Sequence, residues 1–133
     1  MLKLEIVTPE KKVVETEADS VTVPTASGEA GILPNHAPLI SALRPGILTY
    51  TNRATTEKIA VASGFVEVNN DKIAILTDNA ETADEINSDV ARADREAAEK
   101  ALAELINHPV EEGDALREQL ESANARLQLA AGK

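Results

Sequence analysis

Near residue 83 the hydrophobic pattern of this chain changes its period, and that change limits the folds open to it. Up to about Thr82 the apolar residues recur at every second position: Leu2, Leu4, Ile6; Val21, Val23; Ile59, Val61; Val66, Val68; Ile73, Ile75. Alternation of this kind turns one face of a strand to a core and the other to water. Turn-forming residues at Thr8-Pro9-Glu10, Arg44-Pro45-Gly46, Thr51-Asn52-Arg53 and Asn69-Asn70-Asp71 separate the runs, which suits a meander of many short antiparallel strands. A single open sheet would leave raw edges and a bare apolar face. Two packed sheets, or a flattened barrel, are therefore expected. With one Phe, one Tyr and no Trp, its core must be built from Val, Ile, Leu and Ala.

Beyond Asn79-Ala80-Glu81 the β-branched residues thin out, and Ala, Glu and Arg take over. These residues lose little entropy in a helix. Asn87 is placed to cap a first helix, with Asp89 in its first turn at the positive end of the macrodipole. Val90, Ala93, Ala97, Ala101 and Leu105 mark one stripe, widened by Ala98 and Leu102, with Arg92, Arg95, Glu96, Glu99 and Lys100 outside it. Asn107-His108-Pro109 ends this helix and Gly113-Asp114 opens a second, whose Leu116, Leu120, Ala123, Leu127 and Ala130 follow a heptad. The expected fold class is β + α: an N-terminal antiparallel β-sandwich over residues 1–83 and a C-terminal antiparallel two-helix hairpin over residues 84–133. Each buried alanine methyl contributes only about 0.8 kcal/mol, so the hairpin is expected to be weakly held. It is either a static cap on the sandwich or an element that undocks.

Composition excludes several classes of function. The 133 residues suffice for one core and a small appendage. A net charge of -10 with only 13 Lys and Arg argues against binding a nucleic-acid backbone. The absence of cysteine rules out disulfides and thiolate metal sites and suits a reducing compartment. The apolar runs are too short to span a bilayer, and Met1-Leu2-Lys3-Leu4-Glu5 reads as a strand rather than a signal peptide. No direct membrane insertion is expected. There is no Gly-x-Ser-x-Gly elbow, phosphate loop, cysteine nucleophile or metal-spaced cluster, so no catalytic residues, cofactor or metal are expected.

What stands out is Gly28-Glu29-Ala30-Gly31-Ile32-Leu33-Pro34-Asn35-His36-Ala37-Pro38-Leu39. Two glycines, two prolines and a histidine between alternating runs predict either an irregular loop of fixed shape at a sheet edge or an ordinary cluster of turns. His36 could bind another chain or be satisfied by its own loop. Glu29, expected at the loop tip, is either solvated or set to meet a cationic partner. His108, the other histidine, is expected at a helix end, where the dipole favours it.

The wording Gly31-x-Leu33-Pro34-x-His36-Ala37-Pro38-Leu39, followed by strands and an alanine-rich tail, resembles the epsilon subunits of rotary proton-translocating ATP synthases. The resemblance covers the whole chain and is densest from Val21 to Asp78. It implies a ten-stranded sandwich that binds the gamma subunit with one side and stands on the c-ring with one end. It also implies a helical pair that in many bacterial members extends along gamma toward the alpha and beta subunits and blocks ATP hydrolysis. On this likeness the partner interface contains Glu29, Gly31, Leu33, Asn35, His36 and Pro38, with Glu29 near the c-ring and His36 near gamma. The chain would be a non-catalytic rotor subunit that couples proton flow to ATP synthesis. It would lie peripherally on the cytoplasmic face of a bacterial inner membrane, or on a thylakoid or other energy-coupling membrane.

Some members of that family bind ATP through Ile/Leu-Asp-x-x-Arg-Ala. Here Ser88 fails the first position, while Asp89, Arg92 and Ala93 match and Arg126 falls where a second-helix arginine belongs. Glu99 and Ser122 stand where ATP binders carry further arginines, so capping and solvation of the helix is the preferred role for Asp89 and Arg92. From Glu111 onward five acidic residues face three basic ones, which gives an extended helix little attraction for an acidic surface. The alternative reading is a free-standing nucleotide or ligand sensor whose hairpin opens and closes.

Overall fold

The computed structural model describes residues 1–132. Ten strands come first: β1 (Leu2–Val7), β2 (Lys12–Ala18), β3 (Ser20–Thr25), β4 (Gly28–Ile32), β5 (Leu39–Leu43), β6 (Gly46–Asn52), β7 (Thr55–Val61), β8 (Gly64–Asn69), β9 (Lys72–Thr77) and β10 (Ala80–Glu81). A 3-10 turn at Ala83–Glu85 leads to helix α1 (Ser88–Glu104), and a second at Val110–Gly113 leads to helix α2 (Asp114–Ala131).

The strands hydrogen-bond in the order β10-β7-β6-β3-β5-β8-β9-β1-β2, with β4 paired to β3 off this path. The end of β2 returns beside β6, where the Asp19 N–H donates to the Thr51 carbonyl at 2.7 Å. The sheet thus folds over on itself and closes around one core. Every residue of the alternating set named above is at most 2% exposed, joined by Ile32, Leu43 and Leu48. One pair departs from the expected antiparallel order: β1 runs parallel to β9, Lys3 opposite Lys72 through Val7 opposite Leu76. A parallel pair needs a long crossover, and here the whole intervening meander supplies it.

Turn chemistry fixes the register. Asn70 and Asp71 form a two-residue hairpin loop with φ of 51° and 60°, the doubly positive pattern that matches strand twist. Arg53, at φ 57°, is held by its backbone N–H donating to Asp19 Oδ2 at 2.6 Å. Gly64 cannot be replaced without a shift, because a Cβ there would sit 1.9 Å from the Leu76 carbonyl oxygen on β9.

The helices differ from the expected hairpin in which faces they bury. Asn87 caps α1 as its sequence predicts, its side chain accepting from the Asp89 and Val90 N–H groups. The buried side of α1 runs through Ala91, Arg95, Ala98, Ala101 and Leu102 to the C-cap Leu105, so Ala98, Ala101, Leu102 and Leu105 of the expected stripe are covered, while Val90, Ala93 and Ala97 are exposed. The departure lies in the N-terminal half of the stripe, where Ala91 and Arg95 are covered in place of Val90, Ala93 and Ala97. Alanines stand on every side of α1, so their periodicity carries little directional information. In α2 the heptad Leu116, Leu120, Ala123, Leu127 and Ala130 is buried or half-buried, and Ala125 and Leu129 are also buried. That wider burial follows from position: α2 lies between α1 and the outer face of β6 and β7. Leu129 packs with Ala60 and Ile86, backed by Ile47, Ala83 and Ala130.

Candidate interaction surface

The glycine- and proline-rich segment is only half a loop. Gly28 to Ile32 forms β4, paired antiparallel to β3 with Glu29 opposite Pro24. Glu29 is therefore on an edge strand and not at a loop tip. Gly28, at φ +117°, makes the tight β3–β4 turn that a side chain would strain, and the Thr25 hydroxyl donates to its carbonyl at 2.6 Å. The alternation of Ala30 and Ile32 was a strand signal that the two glycines obscured.

Residues 33–38 are irregular, as the composition predicts. Leu33-Pro34-Asn35-His36 is a tight turn in which the His36 N–H donates to the Leu33 carbonyl at 3.1 Å and Asn35 adopts φ 68°. Proline followed by a left-handed residue is the signature of a type II turn. His36 Nδ1 lies 2.6 Å from the Ala37 carbonyl oxygen. A carbonyl only accepts, so Nδ1 carries the proton and Nε2 is the acceptor of the neutral ring. His36 is half-buried, and Leu33, Asn35 and Pro38 are exposed.

Glu29 and His36 are not neighbours. β4 carries the chain between them: Glu29, with Gly28, lines an open cavity of about 400 Å³ under α2, together with Arg44 and Glu121. Arg44 Nη2 meets Glu121 Oε1 there at 3.1 Å. The 33–38 turn lies beside the β8–β9 hairpin loop, where the Asn35 N–H donates to Asp71 Oδ1 at 2.6 Å.

An apolar surface that the core alternation does not announce covers the outer face of β5, β8 and β9. Ala42 stands opposite Phe65, Phe65 opposite Leu76, and Leu76 opposite Val7 of β1, so the four form one row across the sheet. Phe65 is 62% exposed, Leu76 56%, and Ile40, one pair along β5, 77%. Directly opposed residues share a face, so these side chains are contiguous. Glu67 lies between Ile40 and Ala74 and borders the row with negative charge. Its signal in the sequence is the off-phase apolar residues of β8 and β9, Phe65, Ala74 and Leu76.

The nucleotide candidates are not assembled into a cationic site. Asp89 and Arg92 pair with each other one turn apart on exposed α1 surface, and Ala93 beside them is exposed. Arg126 is 15% exposed and already engaged, with Nη1 3.2 Å from Asp94 Oδ2 on α1 and Nε 2.9 Å from Glu81 Oε1 on β10. The Nε contact is an ion pair without hydrogen-bond geometry. Arg126 lines an interhelical cavity of about 260 Å³ with Asp94, Ala97, Gln119, Ser122 and Ala123, and of the four candidates it is the one that does so. Pockets for drug-sized ligands measure about 300–1,000 Å³, and this guanidinium faces two carboxylates rather than an empty anion site. His108 lies beyond the end of α1, as its sequence predicts, with Nδ1 2.9 Å from Glu112 Oε2. Among the described residues no group of three or more His, Asp or Glu could hold a metal ion, and no helix is long and apolar enough to cross a membrane.

Residues 1–83 match the family described as ATP synthase, Delta/Epsilon chain, beta-sandwich domain. An ATP synthase epsilon chain from Desulfitobacterium hafniense (strain Y51) is 48% identical over 99 residues, covering 74% of this chain and 75% of that one. The chain belongs to the ATP synthase epsilon-chain family. A member from Geotalea uraniireducens (strain Rf4) is 40% identical over 131 residues, 98% of this chain and 94% of its own length, so the likeness extends through both helices. The fold of this epsilon-family chain is shared by a chain in the Euglena gracilis mitochondrial ATP synthase structure, OSCP/F1/c-ring in rotational state 1. That match has a TM-score of 0.75 at 23% identity and covers 98% of this chain and 81% of the other.

Proposed function

We propose that this epsilon-family chain is a non-catalytic rotor subunit of an ATP synthase, joining the gamma subunit to the c-ring and passing torque between them. The uncovered row Ala42–Phe65–Leu76 with Ile40 carries this reading. An apolar strip on a rigid closed sheet, left free while the helices occupy β6 and β7, is what a permanent partner requires. The gamma subunit is assigned to that strip and to the adjoining Leu33, Asn35, His36 and Pro38, where His36 Nε2 accepts a hydrogen bond. The c-ring is assigned to the end carrying Glu29 and Gly31. Torque needs a stiff body with two contacts, and a sheet without long free edges, closed around a branched aliphatic core, supplies one. The chain then sits at an energy-coupling membrane through its partners.

Residues 1–83 and 84–133 act as separate units in this reading, the first bearing the rotor contacts and the second acting on ATP hydrolysis when it leaves the sandwich. Its acidic second helix makes that brake a modest one. The test is association of the purified chain with purified gamma subunit, wild type against Phe65→Asp and Leu76→Asp. Exposed positions tolerate charge, so both variants should fold, and binding should fall by at least about tenfold. Undiminished binding by both would overturn the assignment.

A further inference from the structure

We propose that Asp71 is the positioning residue of the interaction loop: its carboxylate sets the geometry of Leu33–His36 and locks that loop into the same frame as the apolar row. The proposal rests on the reading of this surface as the gamma contact. In a type II turn the His36 N–H closes the ring, leaving the Asn35 N–H without a partner inside the turn. Asp71 Oδ1 takes that N–H at 2.6 Å from 36 positions away in sequence. A hydrogen bond to a carboxylate is roughly twice as strong as a neutral one. It opposes the tendency of a non-glycine residue to leave the left-handed region, where Asn35 stands at φ 68°.

Asp71 is itself fixed from two sides. Its φ of 60° belongs to the β8–β9 hairpin loop, and its carbonyl accepts the Lys3 N–H of β1 at 2.8 Å. β8, β9 and β1 are also the strands that present Phe65, Leu76 and Val7. A continuous chain of bonds thus runs from the sheet that bears the apolar row, through Asp71, to the turn that presents Leu33 and His36. Among the described residues it is the one hydrogen bond that ties residues 33–38 to the β8–β9 hairpin. Without it a partner touching both regions would have to order the loop on binding, which weakens association without touching the core.

The experiment compares Asp71→Ala and Asp71→Asn with wild type in the full chain. Thermal melting, amide exchange at Asn35 and affinity for purified gamma subunit are measured, with Phe65→Asp as the control. Asp71→Ala puts a residue ill suited to φ 60° at a half-buried turn, so it should stay folded but melt several degrees below wild type, whereas Asp71→Asn, which tolerates that φ, should melt within about 3 °C. In Asp71→Ala the Asn35 amide should exchange at least about tenfold faster, and binding should weaken about tenfold, mainly through faster dissociation. Asp71→Asn, which keeps an acceptor oxygen, should recover most of both effects. If Asp71→Ala frees the Asn35 amide yet binds gamma like wild type while Phe65→Asp does not bind, the positioning role is wrong and the surface assignment survives. If neither variant alters binding, the surface assignment fails and the proposal with it. Unchanged exchange at Asn35 in Asp71→Ala would overturn the proposal directly.

Discussion

Arg126 Nε stands 2.9 Å from Glu81 Oε1, so a cation of the last helix is tied to the last strand of the sheet. The same guanidinium reaches Asp94 on α1, and one side chain thereby joins the sandwich and both helices. At 15% exposure it is shielded enough for these contacts to count, unlike the open pairs Arg92–Asp89 and Arg95–Glu99.

Replacing Arg126 by Ala leaves Glu81 and Asp94 facing the gap without a cation. Docking of the helices should weaken by about 1–3 kcal/mol while the sandwich keeps its melting temperature. Amide exchange separates the two: faster exchange in α2 with unchanged exchange in β1, β8 and β9. Equal loss in both regions would show that helices and sandwich unfold together.

Two leucines should distinguish the two cores. Leu129, at 7% exposure, packs on Ala60 and Ile86 outside the sheet, whereas Leu48 is fully buried inside it. Leu129→Ala should cost about 2 kcal/mol of helix docking, and Leu48→Ala about 3 kcal/mol or more of global stability. Chemical denaturation read by helical and by sheet signals checks the contrast.

Gly64→Ala should destabilise the sandwich by about 3 kcal/mol or prevent folding, because the added methyl would meet the backbone of Leu76 and Thr77, which cannot step aside as a side chain can. The yield of soluble folded protein and its melting point are the measurements. A wild-type melt would mean that β8 and β9 can separate freely at this point.

The linker between sheet and helix should respond to acid. The Thr82 backbone N–H, and then its hydroxyl, bond the Glu85 carboxylate and hold its pKa below the usual carboxylate value. A group depressed in the folded state contributes stability that is present above its unfolded pKa of about 4.3 and is lost as pH falls through the lower folded value. Acidification should therefore loosen the 3-10 turn, by a small amount because Glu85 is exposed. Glu85→Gln should remove that part of the pH dependence, which a pH series of amide exchange at residues 82–88 would register.

Much of the sandwich was legible because each core strand meets water on one side and the interior on the other. Leu2, Leu4 and Ile6, or Ile73 and Ile75, have no other stable arrangement than the one their alternation announces. Asn87 was legible for a similar reason: a cap acts on N–H groups two and three residues away. Glu29 was misplaced because glycine in a short edge strand looks like glycine in a loop, and only pairing with β3 distinguishes them.

By itself, then, the sequence determined what acts over a few residues: the period of the core strands, the turn sites, the helix cap, the irregular turn at Leu33–His36 and the two-part order of strands and helices. Tertiary structure decided whatever depends on neighbours far away in the chain. It set β1 parallel to β9, turned the start of α1 to bury Ala91 rather than Val90 and Ala93, and gave α2 two buried faces. It brought Asp71 to Asn35, aligned Phe65 with Leu76 and Ala42, and placed Arg126 between Glu81 and Asp94. The physical reason is the same in each case: burial and pairing energies belong to contacts between elements, and a local pattern fixes which residues can be buried but not what buries them.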